Sequence, residues 1–207
     1  MMTTAIRKED AAPQPLATFK APPGTGFIEP STFTLVRAES PALAVMTDLK
    51  QVTVATTNPD ATLAQATQTM ISRGVRLLLV VDRDDIVLGL ITSRDTLGEK
   101  PIKLIKAQGG KHSDLLVSDL MCPRDDIDLI SINDVMHATV GDIVATLKQL
   151  KRQHALVGER NPLTKQTRIR GIFSATQIGR QLGAAVQTFE VSTTFSEIEG
   201  LLAQDNN

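Results

Sequence analysis

The 207-residue sequence predicts an α/β fold made of two copies of one strand-helix-strand-strand-helix unit. Three observations lead there. A capped amphipathic helix after Thr62 is echoed by another after Thr139. An apolar strand, 77–81, is covered on both faces and has a counterpart beginning at His154. A glycine inside the next strand, Gly89, is matched by Gly171. The second copy trails the first by 77 residues at the helix cap and by 82 at the glycine. The five extra residues fall in the polar stretch 160–168, where a hairpin loop tolerates insertion.

Composition excludes several classes. With a net charge of −1, no global field draws the chain to nucleic acid or to an acidic membrane surface. Trp and Tyr are absent and Phe occurs six times, so stacking platforms for single strands are scarce. No run approaches the ~18 apolar residues of a membrane span. The single cysteine, Cys122, forbids an internal disulfide and fits a reducing compartment. The first eight residues lack the apolar core of a signal peptide, so the expected location is cytoplasmic.

Residues 1–40 read as an extension. Six of the ten prolines lie at 13, 15, 22, 23, 30 and 41, which forbids helix and discourages interior strand. The first ~20 residues are expected to be disordered. The segment 27–37, with Phe27, Phe33, Leu35 and Val36, reads either as an edge strand or as a strap.

The first repeat spans 41–108. Ser40 as cap and Pro41 at the first helical position predict an opening helix. Gln51 to Thr56 alternates and predicts a strand. After the turn at Asn58-Pro59-Asp60, Thr62 and Gln65 form a capping box. Leu63, Ala66, Met70 and Ile71 make one buried helix stripe, which Gly74 closes. Strand 77–81, a turn at 82–85 and strand 86–91 follow. The second repeat spans 109–185, with an opening helix at 116–121 and a strand at 127–132. Its helix stripe is Val140, Ile143, Val144, Leu147 and Leu150, and strands follow at 154–157 and 169–174. Gly109-Gly110-Lys111 lacks a phosphate-binding loop pattern and reads as a connector. In the tail, 186–207, Ile198, Leu201 and Leu202 stripe a short helix, which either packs on its own body or makes a dimer contact.

Chemistry is concentrated at Thr92-Ser93-Arg94-Asp95, where a strand turns into a helix. Such junctions leave backbone N–H groups unpaired and attract polar or anionic ligands. Asp95 reads in two ways: as the partner of Thr92 in a capping box, or as the acceptor for two ribose hydroxyls. The three histidines form no metal spacing with one another or with Cys122, and no nucleophile with its base stands out.

The duplicated order resembles a tandem pair of cystathionine β-synthase (CBS) domains. So do Val45-Met46-Thr47, Leu120-Met121-Cys122-Pro123 and the Gly-apolar-apolar-Thr-x-x-Asp run from Gly89 to Asp95. The resemblance covers about 41–185. It implies two repeats in pseudo-twofold packing, two clefts for adenosine compounds, dimerisation and a regulatory, non-catalytic role. Carried over residue by residue, Thr92, Arg94 and Asp95 build the first cleft, with Arg76 as a phosphate contact. The second cleft has Ser174, Gln177 and His154, and Gln177 stands where the acid is expected. Leu79 replaces the family's usual proline. The blander readings stay open: Arg76 and Lys151-Arg152 as solvated helix-end cations, and His154 as a half-buried strand residue. The resemblance implies AMP, ADP, ATP or S-adenosylmethionine as ligand, and an unidentified regulated protein as partner. The alternative is a dimeric scaffold with ligand-free clefts.

Overall fold

The computed structural model describes residues 17–26, 36–183 and Ile198. The chain divides into two units, 1–33 and 34–207. In the first, residues 17–26 are exposed, and the Thr25 N–H and hydroxyl turn back to the carbonyl of Pro22. Of the strand-or-strap segment, 27–35 lies outside the described residues, as does most of the tail.

The second unit holds two four-stranded sheets. One is ordered β2 (Thr56–Thr57), β3 (Leu77–Val81), β4 (Val87–Thr92), β5 (Cys122–Pro123). The other is ordered β1 (Thr47–Asp48), β8 (Thr167–Ser174), β7 (His154–Arg160), β6 (Leu129–Ser131). Each sheet therefore ends in a strand from the other repeat. β1 follows the opening turn of the first repeat yet pairs with β8, and β5 follows the opening helix of the second repeat yet pairs with β4. The exchange is symmetric in its hydrogen bonds. Ala42 N–H donates to Ala138 and Val140 N–H to Ser40, while Leu63 N–H donates to Leu115 and Val117 N–H to Ala61.

Burial follows this exchange. Ala42, Val45 and Met46 of the first opening segment lie in the core of the second repeat, with Val140, Ile143, Val144, Leu147 and Phe173. Val117 and Leu120 lie in the core of the first, with Leu63, Ala66, Met70, Leu78, Val80 and Ile91. Burying a Val or Leu side chain contributes about 1.5–3 kcal/mol, so these segments are held mainly by their side chains. Alternate strand residues point the other way. Leu77, Leu79 and Leu90 meet Leu156 and the partly buried Ile169 and Ile172, joining the two sheets face to face.

The exchange also explains the paired glycines. A Cβ on Gly89 would lie 2.5 Å from the carbonyl oxygen of Cys122, and one on Gly171 would lie 2.5 Å from Met46 Sδ. At Gly89 the obstacle is backbone and only glycine leaves room, whereas at Gly171 it is a flexible side chain.

The main helices, α1 (Leu63–Arg73) and α6 (Val140–Leu150), have the expected capping boxes, Thr62 with Gln65 and Thr139 with Asp142. Gly74 closes α1 in the left-handed region, and Lys151 takes that conformation after α6. Several expectations are corrected. Ile71 is 68% exposed, because the stripe of α1 narrows to Leu63, Ala66 and Met70. Residues 51–55 are not strand, and pairing with β3 begins only at Thr56. The opening segment is a 3-10 turn, Ala42–Val45, whose preceding Pro41 bridges to Thr139; the Ser40 hydroxyl accepts from Arg37 N–H instead of capping it. β4 and β6 are shifted or shorter than the sequence pattern, at 87–92 and 129–131.

Five more α-helices lie in the described part of this unit. After β4 come α2 (Ser93–Leu97) and, beyond a break at Gly98, α3 (Glu99–Gln108). α4 (Val117–Leu120) opens the second repeat, α5 (Ile132–Val135) follows β6, and α7 (Ala175–Gln181) follows β8. Val36 N–H donates to the Gln181 carbonyl, and Val36 is buried with the second repeat's core. Ile198, within the expected tail helix, is helical and fully buried in that same core.

Candidate functional site

The two strand-to-helix junctions are built alike. Ser93 N–H donates to the Arg76 carbonyl, and Ala175 N–H donates to the Gln153 carbonyl, fixing each helix start against the neighbouring strand. Their side chains differ. Asp95, in the first turn of α2, is only 8% exposed. Its Oδ2 accepts from Thr92 N–H at 2.9 Å and from the Thr92 hydroxyl at 2.6 Å. Its Oδ1 accepts from Lys100 Nζ at 2.5 Å, an ion pair thrown back across the Gly98 break from α3. That break needs glycine, since a Cβ there would run into the Arg94 carbonyl oxygen. A carboxylate offers about four lone-pair sites, so three donors leave one open.

Beside this group lies a cleft of about 640 Å³, lined by Lys100, Met121, Cys122, Pro123, Asp125, Asp126, Asp128 and Arg152. Lys100 belongs to the same carboxylate pair as Asp95, and Cys122 lies opposite Leu90 on β4, two residues before Thr92. Most of the wall thus comes from the exchanged strand β5 and the turn after it. Sequence pattern singled out none of Lys100, Cys122 or the three aspartates. Their only signal was the Leu-Met-x-Pro run, which marks the segment and not where it goes.

Of the expected first-cleft residues, Thr92 and Asp95 are together and Arg94 is exposed on α2. None of Thr92, Arg94, Asp95 and Arg76 lines the cleft itself; Arg76 is half-buried, and its pKa is lowered first by burial and then by the neighbouring Arg180 of α7. His154, expected in the second cleft, senses Arg76 and Asp95 of the first repeat. Burial, then Arg76, push its pKa down to about 4, with Asp95 pulling the other way. Arg76, Arg180, His154 and Asp95 therefore form one electrostatic group where the repeats meet.

In the second junction Gln177 Oε1 accepts from the Thr47 hydroxyl at 3.2 Å, so the exchanged strand β1 closes on it. Ser174 makes no capping bond with its side chain. The same strand is latched by ions. Arg170 pairs with both carboxylate oxygens of Asp48, and its Nε lies 3.0 Å from Glu159, which also meets Lys50 at 3.1 Å. The Arg170 bond holds the Asp48 carboxyl below the usual carboxylate range.

Among the described residues, no group of three or more His, Cys, Asp and Glu could hold a metal ion. No described helix is long and apolar enough to cross a membrane.

Comparison with known proteins adds four findings. Residues 44–100 match the CBS domain family. Inosine-5'-monophosphate dehydrogenase of Methanocaldococcus jannaschii is 31% identical over 85 residues, which are 41% of this chain and 16% of that protein. The chain therefore spans about a sixth of the length of the curated relative it matches. An uncharacterised conserved protein of Pyrococcus horikoshii shares the fold, with a TM-score of 0.50, 18% identity, and 73% of this chain and 98% of that chain covered. A CBS-pair protein of Arabidopsis thaliana, solved in complex with AMP, has a TM-score of 0.43 and 20% identity, covering 68% of this chain and 94% of its own. A CBS-domain match at 44–100 is thus followed by a second repeat of the same element order, with the opening strands exchanged between the two.

Proposed function

We propose that the chain is a non-catalytic regulatory module that binds an adenosine compound in the first cleft. The observation that carries this reading is Asp95, a buried carboxylate in a helix's first turn beside a cleft large enough for a nucleoside. Thr92 orients it through two hydrogen bonds. One ribose hydroxyl donates to its open lone pair. The second displaces Lys100, so occupancy of the cleft is felt by α3 and provides the signal to a regulated protein. Calorimetric titration of the whole chain with adenosine, AMP, ADP, ATP and S-adenosylmethionine tests this. Binding by wild type and its loss in Asp95→Ala are expected; equal affinity in both would remove Asp95 from the site.

The second cleft stays empty in this reading, because Gln177 is already engaged by Thr47 and carries no charge. One observation favours the scaffold alternative: Lys100 already occupies one oxygen of Asp95. Failure of every adenosine compound to bind would leave the scaffold standing. Both readings include a homodimer. We place its contact on α1, α2 and α3, where Ile71, Leu97 and Ile102 are exposed, since the core of the second repeat is already covered by Val36 and Ile198 of its own chain. Light scattering at the monomer mass of 22.3 kDa would count against it.

A further inference from the structure

We propose that the hairpin joining β7 to β8 is a docking surface for an acidic, extended segment of a partner protein. The two repeats share this hairpin's stem but not its length. In the first, the ladder ends at Val81 opposite Val87. The equivalent pair in the second is Gly158 opposite Ile169, and two further pairs follow, Glu159 with Arg168 and Arg160 with Thr167. The extra residues of the second copy therefore lengthen the ribbon, by about 7 Å at ~3.3 Å per residue. The charge reverses as well. The first turn has three carboxylates, Asp82, Asp84 and Asp85, against Arg83, whereas the second hairpin projects Arg160, Lys165 and Arg168 against Glu159. Glu159 is already engaged by Arg170 and Lys50. With Asp48 of that clamp and Asp134 of α5, which packs beside β7, five cations meet three acids. Arg160, Lys165 and Arg168 have no ion-pair partner among the described residues.

The loop holds these groups in a fixed shape. Asn161 N–H donates to the Gln166 carbonyl at 2.8 Å, and Lys165 N–H donates to the Asn161 carbonyl at 3.0 Å. The Asn161 side chain accepts from the N–H groups of Leu163 and Thr164. Lys165 takes the left-handed conformation, φ 61°, and Leu163 stands 89% exposed between Arg160 and Lys165 in the chain. A loop already ordered loses little freedom on binding. Two guanidinium forks and an ammonium suit carboxylates, and the leucine adds an apolar contact among them. The hairpin has no aromatic ring on which a base could stack. One leucine is too little apolar surface to hold a membrane. Charge complementarity thus selects carboxylates on a protein segment, and this surface stands whether or not the first cleft takes adenosine.

Fluorescence anisotropy on the full chain at about 50 mM salt titrates a short labelled peptide that alternates glutamate and leucine. The comparators are the same peptide with glutamine for glutamate, a short single-stranded RNA, and vesicles of phosphatidylcholine with phosphatidylserine. Saturable binding of the acidic peptide is expected, with a Kd below about 1 mM and at least about tenfold tighter than the glutamine peptide. Arg160→Gln, Lys165→Asn and Arg168→Gln together should weaken it roughly tenfold, the scale of three exposed ion pairs. Leu163→Ser should weaken it severalfold. All four side chains are exposed, so folding is not at stake. Removing the same charge elsewhere, by Lys103→Gln, Lys106→Gln and Lys111→Gln, should leave the affinity within about twofold. An equal loss in that variant would assign the binding to net charge and overturn the proposal. So would no binding of the acidic peptide, or tighter binding of the RNA or the vesicles.

Discussion

The two repeats place one frame around two different chemistries. After β4 the chain presents Asp95, a buried acid paired with Lys100 of α3. After β8 it presents Gln177, neutral and tied to a threonine of the exchanged strand. The exchanged strand is also fixed differently. β1 is clamped by Asp48, Arg170 and Glu159, whereas β5 runs along an open cleft wall, with no ion pair to β4 among the described residues. The lesson is that pseudo-symmetry of backbone does not carry over to side-chain chemistry. One half is built as a latched joint, the other with an open cleft beside the exchanged strand.

The largest effect expected from this contrast is on ligand affinity. Two hydrogen bonds to a charged acceptor are worth ~3–6 kcal/mol, so Asp95→Ala should weaken adenosine binding by a hundredfold or more. Gln177→Ala should leave it within twofold, as read by calorimetry. Equal losses would make the two clefts equivalent and break the comparison.

Next come the glycines. Gly89→Ala drives a methyl into the Cys122 carbonyl, which cannot swing aside, and should cost ~3 kcal/mol. Gly171→Ala meets the flexible end of Met46 and should cost nearer ~1 kcal/mol. Urea denaturation gives both values. The reverse order would mean that β5, not β1, is the adaptable strand.

His154 stands where the first repeat has Leu77, each beginning the central strand. Its pKa is about 4 in the folded protein against 6.5 for an ordinary histidine, so the unfolded chain binds the extra proton first. Stability is therefore full above pH ~6.5 and falls as pH drops toward 4, by up to ~3 kcal/mol. His154→Leu should flatten that part of the melting profile. An unchanged profile in this variant would assign the acid sensitivity to another group.

A smaller effect sharpens the comparison. Lys100→Met frees Asp95 and should tighten adenosine binding about two- to fivefold, the scale of an exposed ion pair. The same calorimetry reads it, and weaker binding would mean that the lysine holds the ligand instead of competing with it.

The repeat, its caps and its glycines were legible because each depends on local chemistry. Thr62 with Gln65 and Thr139 with Asp142 announce helix starts from three residues' spacing. The exchange of opening strands was not legible. β1 and β5 are two residues long and carry no periodicity, and their partners are set by where the opening segments are buried. The alternation at 51–56 misled for the complementary reason: a pattern without a neighbouring strand makes no ladder. The pairing of Thr92 with Asp95 could be read because the motif is contiguous. The cleft wall could not, because Cys122 and Asp125 to Asp128 arrive from the other repeat. Lys100 was hidden by the break at Gly98, which folds α3 back over the acid.

The central claim is that a ligand occupies the first cleft and not the second, and Cys122 reports on it directly. It is the only cysteine, and it lines the first cleft. Its counterpart on the other exchanged strand, β1, is Thr47, so Thr47→Cys in a Cys122→Ser background reports on the other junction. Alkylation rates of the two proteins should be compared with and without saturating adenosine. The account predicts that adenosine slows the reaction at Cys122 at least severalfold and leaves the Thr47→Cys protein unchanged. Protection at the second position alone, or at both alike, would contradict it.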